Sequence, residues 1–142
     1  MENIGGFFGI LGFVCVLYLA SRPVLQMVVD QFRKQGKTVP KFLKKIYQFI
    51  TKSHRYAGFV AVGAIVLHFF LQYAEYGFVP VAGLIAGLLL LTQSVLGFGL
   101  TKQKDKERRK KMALLHRALG MLIVVAVLVH RVVGSLTDPQ PK

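Results

Sequence analysis

Four long apolar stretches, each set off from the next by polar residues, constrain this chain more than any other feature. They run from about Ile4 to Val29, Tyr56 to Ala74, Phe78 to Leu100 and Ala113 to Gly134. One helical crossing of a bilayer needs roughly 20 residues. Inside hydrocarbon the backbone has no water to bond, so stretches of this kind fold as helices. The chain has 142 residues, 54% of them apolar, and a net charge of +13. A water-soluble domain of that size has too little interior to hide so much apolar surface. The sequence therefore predicts a single all-α domain over 1–142, an integral membrane four-helix bundle surrounded by lipid.

The connections give the topology. Glu75, Tyr76 and Gly77 are all that separates the second and third stretches, so these form an antiparallel hairpin. Ser21, Arg22 and Pro23 interrupt the first stretch, and Pro23 is expected to kink or end the regular helix there. That stretch has no basic start and no convincing small-residue cleavage site, which favours a retained span over a secretory signal. Basic residues crowd the first connection (Arg33 to Arg55) and the third (Lys102 to Lys111), while the other polar segments have almost none. The positive-inside rule then places both basic loops in the cytoplasm and both termini outside, as in a bacterial or archaeal plasma membrane. Charges distributed in this way point to membrane topology and anionic lipid, and no nucleic-acid partner is expected. Within the first basic connection, Val39, Phe42, Ile46, Phe49 and Ile50 recur at helical spacing. Residues 39–51 read as a short amphipathic helix lying on the membrane face between spans one and two.

All four histidines lie in spans two and four. His54 and His68 are fourteen residues apart, and so are His116 and His130. Fourteen residues is two heptads, which keeps both members of a pair on one face of a left-handed bundle. At about 1.5 Å per residue they stand about 21 Å apart along the helix. Spans two and four run parallel, so His54 is level with His116 and His68 with His130. A lone histidine in a membrane helix is ordinarily a hydrogen-bonded structural residue. Two matched pairs with none left over point instead to ligation of two haem irons, an inner one by His54 and His116 and an outer one by His68 and His130. Zinc would be left short of ligands at each level. The single cysteine and the lack of a CxxCH motif mean that the haems would be b-type and non-covalent.

The flanks repeat with the histidines. HRYAGFVAVGAIVLH and HRALGMLIVVAVLVH share H-R-x-x-G followed by nine residues and H. Gly58 and Gly120 would make room for a flat porphyrin or for close helix packing. Gly83 and Gly97 in span three are also fourteen apart and would relieve both levels. Arg55, Arg117 and Arg131 each follow a histidine directly; they are candidates for propionate carboxylates, and Arg55 and Arg117 equally for interfacial anchors.

The paired histidines, with Gly83 and Gly97 between them, resemble the four-helix haem bundle of respiratory cytochrome b. They are similar too to the transmembrane domain of ferric reductases and NADPH oxidases. The resemblance covers spans two to four, roughly 80 residues. It departs at the first helix, where Gly5, Gly6, Gly9 and Gly12 cluster near one end with no glycine fourteen residues on. It implies an oxidoreductase-linked electron carrier with two haems stacked across the membrane. No flavin or nicotinamide domain is recognisable, so a redox partner protein is expected on one or both faces. The alternative is a self-contained quinol/quinone oxidoreductase, with Tyr73, Glu75 and Tyr76 near the outer pair or Lys52, Ser53 and Tyr56 near the inner one exchanging protons. These groups belong equally to the interfacial belt. The topology is checked by accessibility: a cysteine replacing Gln103 should react only with reagent on the cytoplasmic side, and one replacing Gln140 only from outside. The reverse pattern would invert the sidedness.

Overall fold

The computed structural model describes residues 2–137 and is built from four helices, α1 (Glu2–Lys34), α2 (Lys41–Tyr76), α3 (Val81–Lys102) and α4 (Lys106–Thr137). All four are long and apolar enough to cross a membrane. They run up and down in sequence, α1 against α2 and α3 against α4 in two close hairpins, with looser contact between the hairpins. Among the described residues α2 and α4 make no close backbone approach, and neither do α1 and α3. These are the diagonals of the bundle. The interior is thin and the exterior apolar, with side chains such as Phe59, Leu88, Val95 and Leu115 facing outward. That is the reverse of a water-soluble protein and suits a bilayer, where lipid solvates the outside and packing with interhelical hydrogen bonds holds the helices together.

The turns follow from local chemistry. Gly77 ends α2 with φ +70° and donates its N–H to the Tyr73 carbonyl at 2.9 Å, a left-handed cap that favours glycine. Pro40 and Pro80 precede α2 and α3, where a missing N–H costs nothing. Asp105 caps α4, its Oδ1 accepting from the Arg108 N–H at 2.8 Å.

Three elements differ from the sequence expectation. Residues 39–51 do not form a separate interfacial helix: from Lys41 onward they are the first turns of α2. No Gly or Pro stands between Lys41 and Tyr56 to stop the helix, so the amphipathic part runs directly into the span. The basic run before span four is likewise helical from Lys106, and α1 continues through Pro23 to Lys34. At about 1.5 Å per residue, α1, α2 and α4 (33, 36 and 32 residues) are longer than the roughly 30 Å hydrocarbon layer is thick, and most of their charges lie toward the helix ends. The 22-residue α3 is matched to that layer.

The buried centre is one layer of four side chains, one from each helix: Val16, Ala61, Leu90 and Ile123. Each lies seven residues from a site position on either side of it. Ala61 is midway between His54 and His68, Ile123 between His116 and His130, and Leu90 between Gly83 and Gly97. Val16 is midway between Gly9 and Pro23. The bundle thus stacks three layers at heptad intervals, an apolar one between two that carry imidazoles. Ala61, fully buried, has no room to grow. Ala61→Leu should destabilise the purified protein by about 1–3 kcal/mol through overpacking, read as a lowered thermal midpoint.

Candidate functional site

The two histidine pairs meet across the α2–α4 diagonal, one at the basic end of the bundle and one at the end that holds the Gly77 turn. The rings of His54 and His116 have centres 6.4 Å apart with planes inclined at 70°. Those of His68 and His130 are also 6.4 Å apart, inclined at 69°. The register expected from the fourteen-residue spacing is therefore present, and the two levels have nearly the same geometry. Neither pair is in direct hydrogen-bond contact at that separation.

Glycines on the intervening helices make this approach possible. A Cβ on Gly83 would lie 2.9 Å from His130 Cε1, and one on Gly97 would lie 3.1 Å from His116 Cε1. Both glycines of α3 stand at the histidine levels, as their spacing predicts. Gly9 of α1 does the same for His68, whose Cε1 would be 2.9 Å from an added Cβ. In each case the Nδ1 side of the ring is nearer the glycine than Nε2 is.

The polar atoms of the rings are ordered by this packing. His68 Nδ1 lies 2.9 Å from the Gly5 carbonyl oxygen. A carbonyl can only accept, so Nδ1 carries the proton and Nε2 of the neutral ring keeps its lone pair. Fixing the tautomer through a backbone carbonyl is a common way to orient a metal-binding histidine. The Nδ1 atoms of His54, His116 and His130 are buried and have no hydrogen-bond partner. Gln93 steadies α4 beside the basic-end pair by donating from Nε2 to the His116 carbonyl at 2.7 Å.

A cavity of about 980 Å³ opens around the turn-end pair, lined by His68 and His130 with Gly9, Gly83, Phe69 and Arg131 among residues of all four helices. Its size stands at the upper end of the roughly 300–1,000 Å³ typical of cofactor and ligand sites. Among the described residues no third His, Cys, Asp or Glu joins either pair to complete a metal site made wholly of protein ligands.

The other predicted residues are arranged less uniformly. Gly58 has nothing within 4 Å of an added Cβ, so it relieves no protein contact, whereas a Cβ on Gly120 would stand 3.1 Å from Gln93 Nε2. Arg55 and Arg117 are exposed, Arg55 lying over the Phe59 ring at 5.8 Å. Arg131 is exposed too but borders the turn-end cavity. Sequence reasoning passed over Gly5 and Gly9 as site residues because their helix carries Pro23, not glycine, fourteen residues on. It passed over Arg22, whose Nε is buried without a partner beside the basic-end pair.

No protein-family description, curated protein or solved structure matches this chain. Its site is therefore read from its own geometry. Gly9→Ala should displace the His68 ring and cost about 1–3 kcal/mol of stability through overpacking. Gly58→Ala should gain up to about 1 kcal/mol from helix propensity. Thermal melts of the two variants that fail to separate in this order would contradict the contacts described.

Proposed function

We propose that this chain is a di-haem b-type cytochrome that carries single electrons across a membrane. The observation that carries this reading is the repeated facing histidine pair. An imidazole nitrogen binds a first-row transition metal at about 2.0–2.1 Å and its ring centre lies about 1.1 Å behind, so two rings on opposite sides of one metal have centres about 6.2–6.4 Å apart. Both pairs stand at 6.4 Å. Two protein ligands per level suit a macrocycle that brings its own in-plane nitrogens, and suit a tetrahedral ion poorly. Haem bound there would supply a reversible one-electron couple of its iron.

The chain's own residues do the rest. His54 with His116 and His68 with His130 would hold the two haem irons through ring nitrogens. Gly9, Gly83 and Gly97 let three of those rings sit close to neighbouring helices. Val16, Ala61, Leu90 and Ile123 exclude water between the levels. Arg131 at the turn-end cavity is positioned for an anionic group there. The basic end faces the cytoplasm by the positive-inside rule, and electrons pass to or from a redox partner protein at one or both faces.

A second reading, a quinol/quinone oxidoreductase, draws on the same cavity, because Gln72 and Tyr76 also line it. In this reading their polar groups would hydrogen-bond a quinone ring beside the turn-end pair. Optical spectra of the purified protein test both readings. The conduit reading expects two low-spin haems per chain, one of them lost in His68→Ala, and no reduction by quinol alone. Fast reduction by quinol would favour the second reading, and fully loaded protein with one haem or none would overturn the two-level assignment.

A further inference from the structure

Among the described residues no carboxylate pairs with Arg22. It lies on α1 one residue before Pro23, which occupies the same heptad layer as His54, Gly97 and His116. Its guanidinium interacts electrostatically with both of those histidines. Its Nε is buried and makes no hydrogen bond. The acids among the described residues are committed or remote, Glu2 standing at the far end of α1. Asp30 accepts from Gln26 and lies 3.7 Å from Arg33, Glu107 pairs with Lys110 at 2.8 Å, and Asp105 caps α4. Glu75 is near the opposite end of α2, twenty-one residues beyond His54 and so about 31 Å along the helix.

A guanidinium held between helices of a membrane protein is costly unless something anionic meets it, and charges in such places tend to mark function. Neutral imidazoles cannot supply that charge. The position is also specific to one level: the residue that precedes Gly9 in the same way is Phe8, so α1 offers no cation to the turn-end pair. Arg55 and Arg117, adjacent in sequence to the basic-end histidines, are exposed, whereas Arg22 is half-buried with its Nε enclosed.

We propose that Arg22 binds a carboxylate of the group held between His54 and His116, a propionate of the basic-end haem. The inference rests on the haem reading above and assigns the anchor for one of its two sites to α1, which bears no histidine. Arginine suits the task because its planar fork meets a carboxylate with two parallel hydrogen bonds, which a lysine ammonium cannot reproduce.

The test follows haem loss from the detergent-purified holoprotein to excess apomyoglobin. The kinetic phase missing in His130→Ala belongs to the turn-end haem and the remaining one to the basic-end haem. Arg22→Gln should speed basic-end loss about tenfold, the scale of one charge-assisted contact, and leave turn-end loss unchanged. Arg22→Lys should fall between. Native protein loaded with haem dimethyl ester, whose propionates carry no charge, should lose its basic-end group about as fast as Arg22→Gln loses ordinary haem. The substitution should then add little to the effect of the ester.

Unchanged basic-end loss in Arg22→Gln overturns the inference. So does an equal acceleration by the substitution with ordinary and esterified haem, which would mark a structural role or a lipid phosphate as the anion. If Arg22→Gln does not fold, the ester and Arg22→Lys decide. Basic-end loss from native protein that is no faster with the ester than with ordinary haem, or Arg22→Lys equal to native, counts against the proposal. Native protein that takes up no haem at either level overturns the cytochrome reading and this inference together, whereas two bound haems indifferent to Arg22 overturn this inference alone.

Discussion

The structure depends on a seven-residue beat shared by four helices. Two of them, α2 and α4, make no close backbone approach along the diagonal of the bundle, and the rings of their histidines face each other across it at two levels. A pair of imidazoles 6.4 Å apart at one level is an accident that a bundle tolerates. The same separation at a second level, two heptads away, requires that helix rotation and translation agree at both. The central layer is what enforces the agreement. Val16, Ala61, Leu90 and Ile123 are the best-buried cluster in the bundle, and each is one heptad from both neighbouring layers. A slip of one residue on any helix would rotate its histidine or glycine out of register and unpack that centre at the same time.

Lipid makes the arrangement more exacting. Water is not there to solvate an imidazole that misses its partner, so each ring nitrogen in the bundle needs an occupant or a donor–acceptor match. His68 has one through the Gly5 carbonyl. The buried Nδ1 atoms of the other three rings have none, and the buried Nε of Arg22 is in the same position. Glu75 Oε2 and Gln93 Oε1 are buried without a partner as well, but the ring nitrogens stand at two levels seven residues either side of the apolar centre, where each unsatisfied group is a local cost.

Much of this is legible in the sequence because hydropathy and heptad spacing act at long range along a helix. The four spans, the antiparallel hairpin at Gly77, the level pairing of the histidines and the use of Gly83 and Gly97 follow from counting residues. The ends of the helices do not. Hydropathy falls at Lys52 and Lys111, but helical hydrogen bonding does not depend on hydropathy, and no glycine or proline stops α2 or α4 there. Periodicity also fails for α1, since its contribution changes chemical type between layers. Gly9 admits the His68 ring, whereas the residue fourteen further on is Pro23. The cluster of Gly5, Gly9 and Gly12 appears unpaired as a sequence repeat. In the structure it is the line along which α1 approaches α2, against Gln72, His68 and Ile65.

That change of type separates two sites with matching ring geometry. Gly5 stands four residues before Gly9 and its carbonyl accepts from His68 Nδ1. The same heptad step leads to Leu19, four residues before Pro23. Proline has no N–H, so the Leu19 carbonyl lacks the i+4 donor that an α-helix otherwise provides. At the turn end, α1 offers a notch and a carbonyl that is already bonded to a ring. At the basic end it offers a proline, a carbonyl short of a donor and the guanidinium of Arg22. Equal histidine spacing therefore does not make the two levels electrostatically equal. A group between His54 and His116 would lie near Arg22, at the end of the bundle where the basic helix extensions gather, whereas one between His68 and His130 would have Arg131 at the border of its cavity.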